Sequence, residues 1–143
     1  MGKLNKEKLQ IAILGPGAIG SFLAALLWKS GHNVVCVGNS ISIDKINKSG
    51  ITFESKVYGN FTATPSAVVT LDKSVDVLFI SVKAVFLKDA IRRISENWVR
   101  NSIVIPILNG IGNREVINDR FGGRVAVGTI GMIEVSRSRE GVI

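Results

Sequence analysis

The chain has 143 residues, 46% hydrophobic and 20% charged, with a mean hydropathy of +0.33; this balance excludes a disordered polymer and suits one domain with a single core. One cysteine, Cys36, and one histidine, His32, exclude an intrachain disulfide, a multi-cysteine zinc site and a histidine-rich metal site. Eighteen Lys and Arg against eleven Asp and Glu leave +7 at pH 7, a charge that suits nucleic acid, a membrane surface or an anionic small ligand.

Residues 1–8, with Lys3, Lys6 and Lys8, read as a flexible lead-in to a single domain over 9–143. From Leu9 to Trp28 no residue is charged, a length that raises the question of a membrane span. Gly15-Pro16-Gly17 interrupts the stretch at its middle, and the apolar runs on either side are too short to cross a bilayer. The same interruption argues against a signal peptide, so the reading is a soluble, cytoplasmic chain without a membrane partner.

Leu9–Leu14 is apolar without alternation, as expected of a strand buried on both faces of a parallel sheet. Ala18–Ser30 is rich in Ala and Leu and meets Gly31, a natural helix stop, and Asn33–Val37 forms a second buried strand. Strand, glycine turn, helix and strand make a βαβ unit. Ile51–Glu54 and Val57–Ala63 flank Ser55-Lys56 as a candidate hairpin. Asp76–Val82 is another apolar strand, and Val85–Val99 spaces Val85, Ala90, Ile91, Ile94 and Trp98 along one helical face. Ser102–Leu108 reads as a strand, Arg114–Phe121 as a short helix, and Arg124–Ile130 as a strand ending near Gly131. The alternation predicts an α/β, Rossmann-like doubly wound fold: a mainly parallel sheet with helices on both faces. No internal repeat, low-complexity tract or linker divides it.

Gly15-Pro16-Gly17-Ala18-Ile19-Gly20 matches G-x-G-x-x-G between a buried strand and a helix, the context that gives the pattern meaning. Gly15 permits the tight turn, Gly17 lets the backbone approach a pyrophosphate, and Gly20 allows close packing of helix on sheet. The helix start offers N–H groups and a partial positive charge to phosphates. Ser21-Phe22 after Gly20 excludes a mononucleotide P-loop. A carboxylate at the end of the second strand would grip the 2′-hydroxyl of NAD, whereas an arginine would suit NADP. The residues there are Gly38-Asn39-Ser40, with Lys45 and Lys48 downstream. Without a carboxylate to repel a 2′-phosphate, and with Asn39 and Ser40 able to donate, the position leans to NADP(H), with NAD not excluded; the two lysines also read as a solvated helix face.

Lys83 and Asn109 each follow a strand's carboxyl end, on the side of Gly15, where open α/β sheets bind ligands. A lysine there opposes a phosphate or a developing oxyanion, and an amide orients a ketone or a ribose hydroxyl. Lys83 also reads as an ordinary first-turn charge, and Asn109-Gly110 as a turn pair. His32 reads as a turn residue and Cys36 as a small core residue. Trp28 and Trp98 read as packing anchors near helix ends, Glu134 could reach toward a nicotinamide, and Arg137 and Arg139 sit in a solvated loop. The basic residues are spread along the chain with no basic helix or aromatic platform, which argues against nucleic acid.

Four stretches together resemble the N-terminal domain of the ketopantoate reductase (2-dehydropantoate 2-reductase) family. They are the glycine loop, Gly31-His32-Asn33-Val34, Ser81-Val82-Lys83-Ala84 and Leu108-Asn109-Gly110-Ile111-Gly112. Gly128–Ile143 resembles the segment preceding that family's second domain. The resemblance implies reduction of ketopantoate by NADPH to pantoate, a step toward coenzyme A. It implies that the glycine loop holds the pyrophosphate, that Lys83 lies beside the cofactor, and that Asn109 touches both cofactor and substrate. Many members place an arginine where this chain has Asn39. The family's proton-donating lysine belongs to a helical second domain absent from this chain, so no catalytic residue is expected in it. The substrate expected is a small 2-oxo acid, and an exposed apolar surface along Val125–Val135 and the strands' carboxyl ends would favour a homodimer. A non-catalytic dinucleotide sensor and the cofactor domain of another hydroxy-acid or sugar-phosphate dehydrogenase are the alternatives.

Overall fold

The computed structural model describes residues 7–108, 112–122, 124–126, 135–136 and 142–143. Its centre is a parallel five-stranded sheet in the order β5-β2-β1-β6-β7, formed by β1 (Gln10–Leu14), β2 (Asn33–Val37), β5 (Ser66–Val68), β6 (Val77–Ile80) and β7 (Ile103–Pro106). β1 is central, with Ile13 paired to Cys36 on one side and to Phe79 on the other. Its unalternated sequence has a direct cause. Ala12 and Leu14 join the apolar cluster on one face, while Ile11 and Ile13 join the cluster on the other.

α1 (Ala18–Lys29), α2 (Ser40–Ser49) and a small antiparallel hairpin cover the second of these faces. The hairpin, β3 (Ile51–Phe53) and β4 (Phe61–Ala63), pairs Ile51 with Ala63. It is shorter than the sequence suggests: residues 54–60 form the connection, and Val57 and Tyr58 stand exposed in it. The Phe53 ring stacks on Phe61 at 4.8 Å and packs against Phe22 of α1 at 5.6 Å, which fixes the hairpin to the helix.

The opposite face carries α3 (Leu87–Ala90), α4 (Glu96–Val99) and α5 (Asn113–Phe121). Here the structure corrects the single helix expected over Val85–Val99. A 3₁₀ turn over Ala84–Phe86 leads into α3, a second one follows at Ile91–Arg93, and Ile94 is extended at φ −114°, ψ 115° before α4. Tertiary bonds capture the carbonyls a continuous helix would use: Leu71 N–H donates to Arg93 O at 2.9 Å, and the Arg120 guanidinium donates to Ile94 O at 2.9 Å. Ala90, Ile91 and Ile94 are buried as expected, but Val85 is 82% exposed, and Val99 rather than Trp98 enters the core.

Val125 makes a parallel bridge to Val104, so the chain after α5 begins to extend the sheet; residues 127–130 of the expected strand and Gly131 lie outside the described residues. Val125 itself is buried, so the apolar surface expected to start there is not free at that residue. Trp28 is half-buried against the α1 side of the core, whereas Trp98 lies at the surface. Among the described residues no helix is long and apolar enough to cross a membrane.

Candidate functional site

The glycine loop runs from the carboxyl end of β1 into α1, and hydroxyl groups hold its carbonyls from behind. Ser81 Oγ donates to Gly15 O at 2.8 Å and to Leu14 O at 3.2 Å, and buried Ser21 Oγ donates to Pro16 O at 2.9 Å. Gly15 N–H reaches Val37 O at 2.9 Å, tying the loop to β2. With the carbonyls engaged from within, the first-turn N–H groups of Ala18 and Ile19 have no acceptor inside the helix. No acidic side chain occupies that first turn, so the positive end of the 12-residue helix is not offset locally.

The three glycines of the fingerprint have different reasons to lack a side chain. Gly15 has φ +90°, and a Cβ there would run into Val82. At Gly20 a Cβ would strike Gly15 O and come within 2.6 Å of Ser81 Oγ, because α1 crosses the loop at close range. Gly17 differs: its φ of −74° suits any residue, and a Cβ would meet nothing within 4 Å. Among the described glycines it alone has neither a left-handed backbone nor a close neighbour to account for it. Its bare surface faces an open cleft of about 790 Å³ at the carboxyl ends of β1, β2 and β6.

That cleft brings together Gly15, Pro16, Gly17, Ala18, Ile19, Asn39 and Lys83 from the sequence reading, while Gly20 lies behind the loop against Ser81. The cleft wall continues to Leu108; Asn109 lies outside the described residues, as do Glu134, Arg137 and Arg139. Lys83 is exposed, takes an extended backbone ahead of the Ala84–Phe86 turn, and lines the cleft. Asn39 is the N-cap of α2: its Oδ1 accepts from Ser42 N–H at 2.9 Å, and its amide hydrogens remain to donate to a ligand. Lys45 and Lys48 lie along α2 and do not line this cleft.

His32 stands at the opposite end of the sheet, where its Nδ1 accepts from Leu9 N–H at 3.3 Å, far from any chemistry in the cleft. Cys36 is fully buried in β2, and burial pushes its thiol up to about 12, as befits a core residue. Sequence reasoning missed Ser21 and Ser81, the hydroxyls that hold the loop. It also missed Phe86 and Arg93, which line the cleft. An aromatic three residues after a strand-end lysine was the available signal for Phe86; Arg93 had none.

The fold and the cleft define a Rossmann-like α/β domain with its opening where such sheets take their ligands. More narrowly, residues 11–143 match the family model of ketopantoate reductase PanE/ApbA, and the chain belongs to that family of oxidoreductases. It is 33% identical over 117 residues to 2-dehydropantoate 2-reductase of Pyrococcus horikoshii, an alignment covering 81% of this chain and 38% of that protein. The crystal structure of 2-dehydropantoate 2-reductase from Geobacter metallireducens superposes with a TM-score of 0.78 at 26% identity, covering 94% of this chain and 45% of that one. The ternary structure of D-mandelate dehydrogenase with NADH and anilino(oxo)acetate gives 0.74 at 23% identity over 82% of this chain and 39% of that one, a likeness of fold alone. The chain thus spans about two fifths of the length of the curated relatives it matches.

Proposed function

We propose that this chain is the NADPH-binding domain of a 2-dehydropantoate 2-reductase-like oxidoreductase. The observation that carries the reading is Gly17, whose missing side chain nothing in the protein requires but which a pyrophosphate lying on the α1 N-terminus would. Gly15, Pro16, Gly17, Ala18, Ile19 and Gly20 form the phosphate cradle, Asn39 faces the adenosine ribose, and Lys83 lies beside the coenzyme. Asn109, carried over from the family, contacts coenzyme and substrate. The bound nicotinamide supplies hydride to the ketone of a small 2-oxo acid. This domain's share is to hold and orient the coenzyme, while a second, helical domain supplies the proton for the developing alkoxide.

The test is calorimetric titration of the 143-residue chain with NADPH, followed by a steady-state assay with NADPH and 2-dehydropantoate. Binding without turnover is the expected result. Turnover in the range of about 1–1,000 per second would show a complete active site within these residues and overturn the division of labour. The exposed Val85 and Phe86 beside the cleft give the chain an apolar rim, so light scattering should show self-association at high concentration.

A further inference from the structure

The end of β2 lacks the arginine that would mark a 2′-phosphate site, yet the fold brings one to the same cleft from a distant part of the chain. Gly38 N–H donates to Val68 O at 3.3 Å, which sets the end of β5 beside Gly38-Asn39. The next residue, Val69, has its carbonyl facing Arg93, whose Nη1 donates to it at 3.4 Å. The Arg93 carbonyl is held in turn by Leu71 N–H at 2.9 Å, so backbone and side chain are both anchored to the segment following β5. Arg93 is half-buried and lines the same cleft as Asn39 and Gly17.

We propose that Arg93 reads the coenzyme's 2′-phosphate, taking the role that the Asn39 position leaves vacant, and thereby makes the cleft selective for NADPH over NADH. The proposal rests on the dinucleotide reading of the cleft. A guanidinium carries five donors, and one long bond to Val69 O leaves most of them for a ligand. Asn39 adds its amide hydrogens, while its oxygen holds the α2 cap. One carboxylate, Asp89, also lines the cleft; it is one turn before Arg93, and its side chain is 83% exposed, so solvent screens its charge. A bidentate guanidinium–phosphate pair at a half-buried site is among the stronger polar contacts available to a protein.

The experiment compares 2′,5′-ADP with 5′-AMP, ligands that differ in the 2′-phosphate at the adenosine end, by calorimetry on wild type, Arg93→Gln and Arg93→Lys. Wild type is expected to bind 2′,5′-ADP at least about tenfold more tightly. Arg93→Gln should remove that preference chiefly by weakening 2′,5′-ADP, and Arg93→Lys should keep part of it. Wild-type affinities within about twofold of each other would overturn the proposal, as would an Arg93→Gln chain that keeps the wild-type ratio. Should Arg93→Gln not fold, full preference in Arg93→Lys would equally count against a bidentate role. Failure of wild type to bind either NADPH or NADH would instead overturn the dinucleotide reading of the cleft.

Discussion

Valine at Gly17 should abolish coenzyme binding and spare the fold. The backbone there, φ −74° and ψ −156°, is extended rather than left-handed, and a Cβ at this position would have no atom within 4 Å. Replacing glycine restricts the unfolded chain, worth about 0.4–1 kcal/mol, and this roughly cancels the poorer N-cap, so stability should change by less than about 1 kcal/mol. The branched side chain would instead fill the space over the Ala18 and Ile19 amides. Each hydrogen bond to a charged phosphate is worth about 1.5–3 kcal/mol, and losing one already weakens Kd by about tenfold or more. Alanine at Gly20 is the contrasting variant. Its Cβ meets the Gly15 carbonyl and Ser81 Oγ, the pair whose 2.8 Å bond holds the loop, so overpacking should cost about 1–3 kcal/mol of fold stability. NADPH fluorescence titration alongside thermal unfolding separates the two effects. A Gly17→Val chain with wild-type NADPH affinity would refute the placement of the pyrophosphate.

Asn39→Asp should keep the α2 cap, since aspartate caps as well as asparagine, while placing a carboxylate at the end of β2; competition titrations should show the NADPH/NADH affinity ratio falling by about tenfold or more. Cys36 should resist a disulfide reagent at about pH 8 in the native chain and react once the chain is denatured. Its folded thiol is pushed up to about 12 from an ordinary 9.0, so between these values the folded state holds a proton that the unfolded state releases. Its contribution is full below pH 9.0 and is lost as pH rises toward 12, so urea midpoints of wild type should fall faster above pH 9.0 than those of Cys36→Ala.

The β1–turn–α1–β2 unit was legible because its signals are local: glycines at fixed spacing, an apolar run too short for anything but a strand, and Gly31 closing the helix. α2 is marked only by the helix face read for Lys45 and Lys48, without bounds, although Asn39 ahead of Ile43 and Ile46 is a cap before a buried spacing. β5 is a three-residue edge strand following Pro65, too short to leave a pattern. The break at Ile94 could not be read, because its causes are Leu71 and Arg120, 23 and 26 residues away in sequence. Within the site, the glycine loop, Asn39 and Lys83 carried their own motif or strand-end position. Arg93 carried none: its place in the cleft depends on how the segment after β5 folds back beside β2.

The hydroxyl bonds from Ser21 and Ser81 bear on how quickly a ligand is captured. A loop already fixed in its receiving shape loses little motion on binding, so association need not wait for a rearrangement. Encounter is then governed by diffusion and by attraction between the net positive chain and an anionic ligand, and it should slow as ionic strength rises. Variants in the cleft that leave both serines in place should therefore differ mainly in dissociation rate. Loss of the Ser81 hydroxyl should show first in slower association, as the loop begins to sample shapes that cannot receive a phosphate.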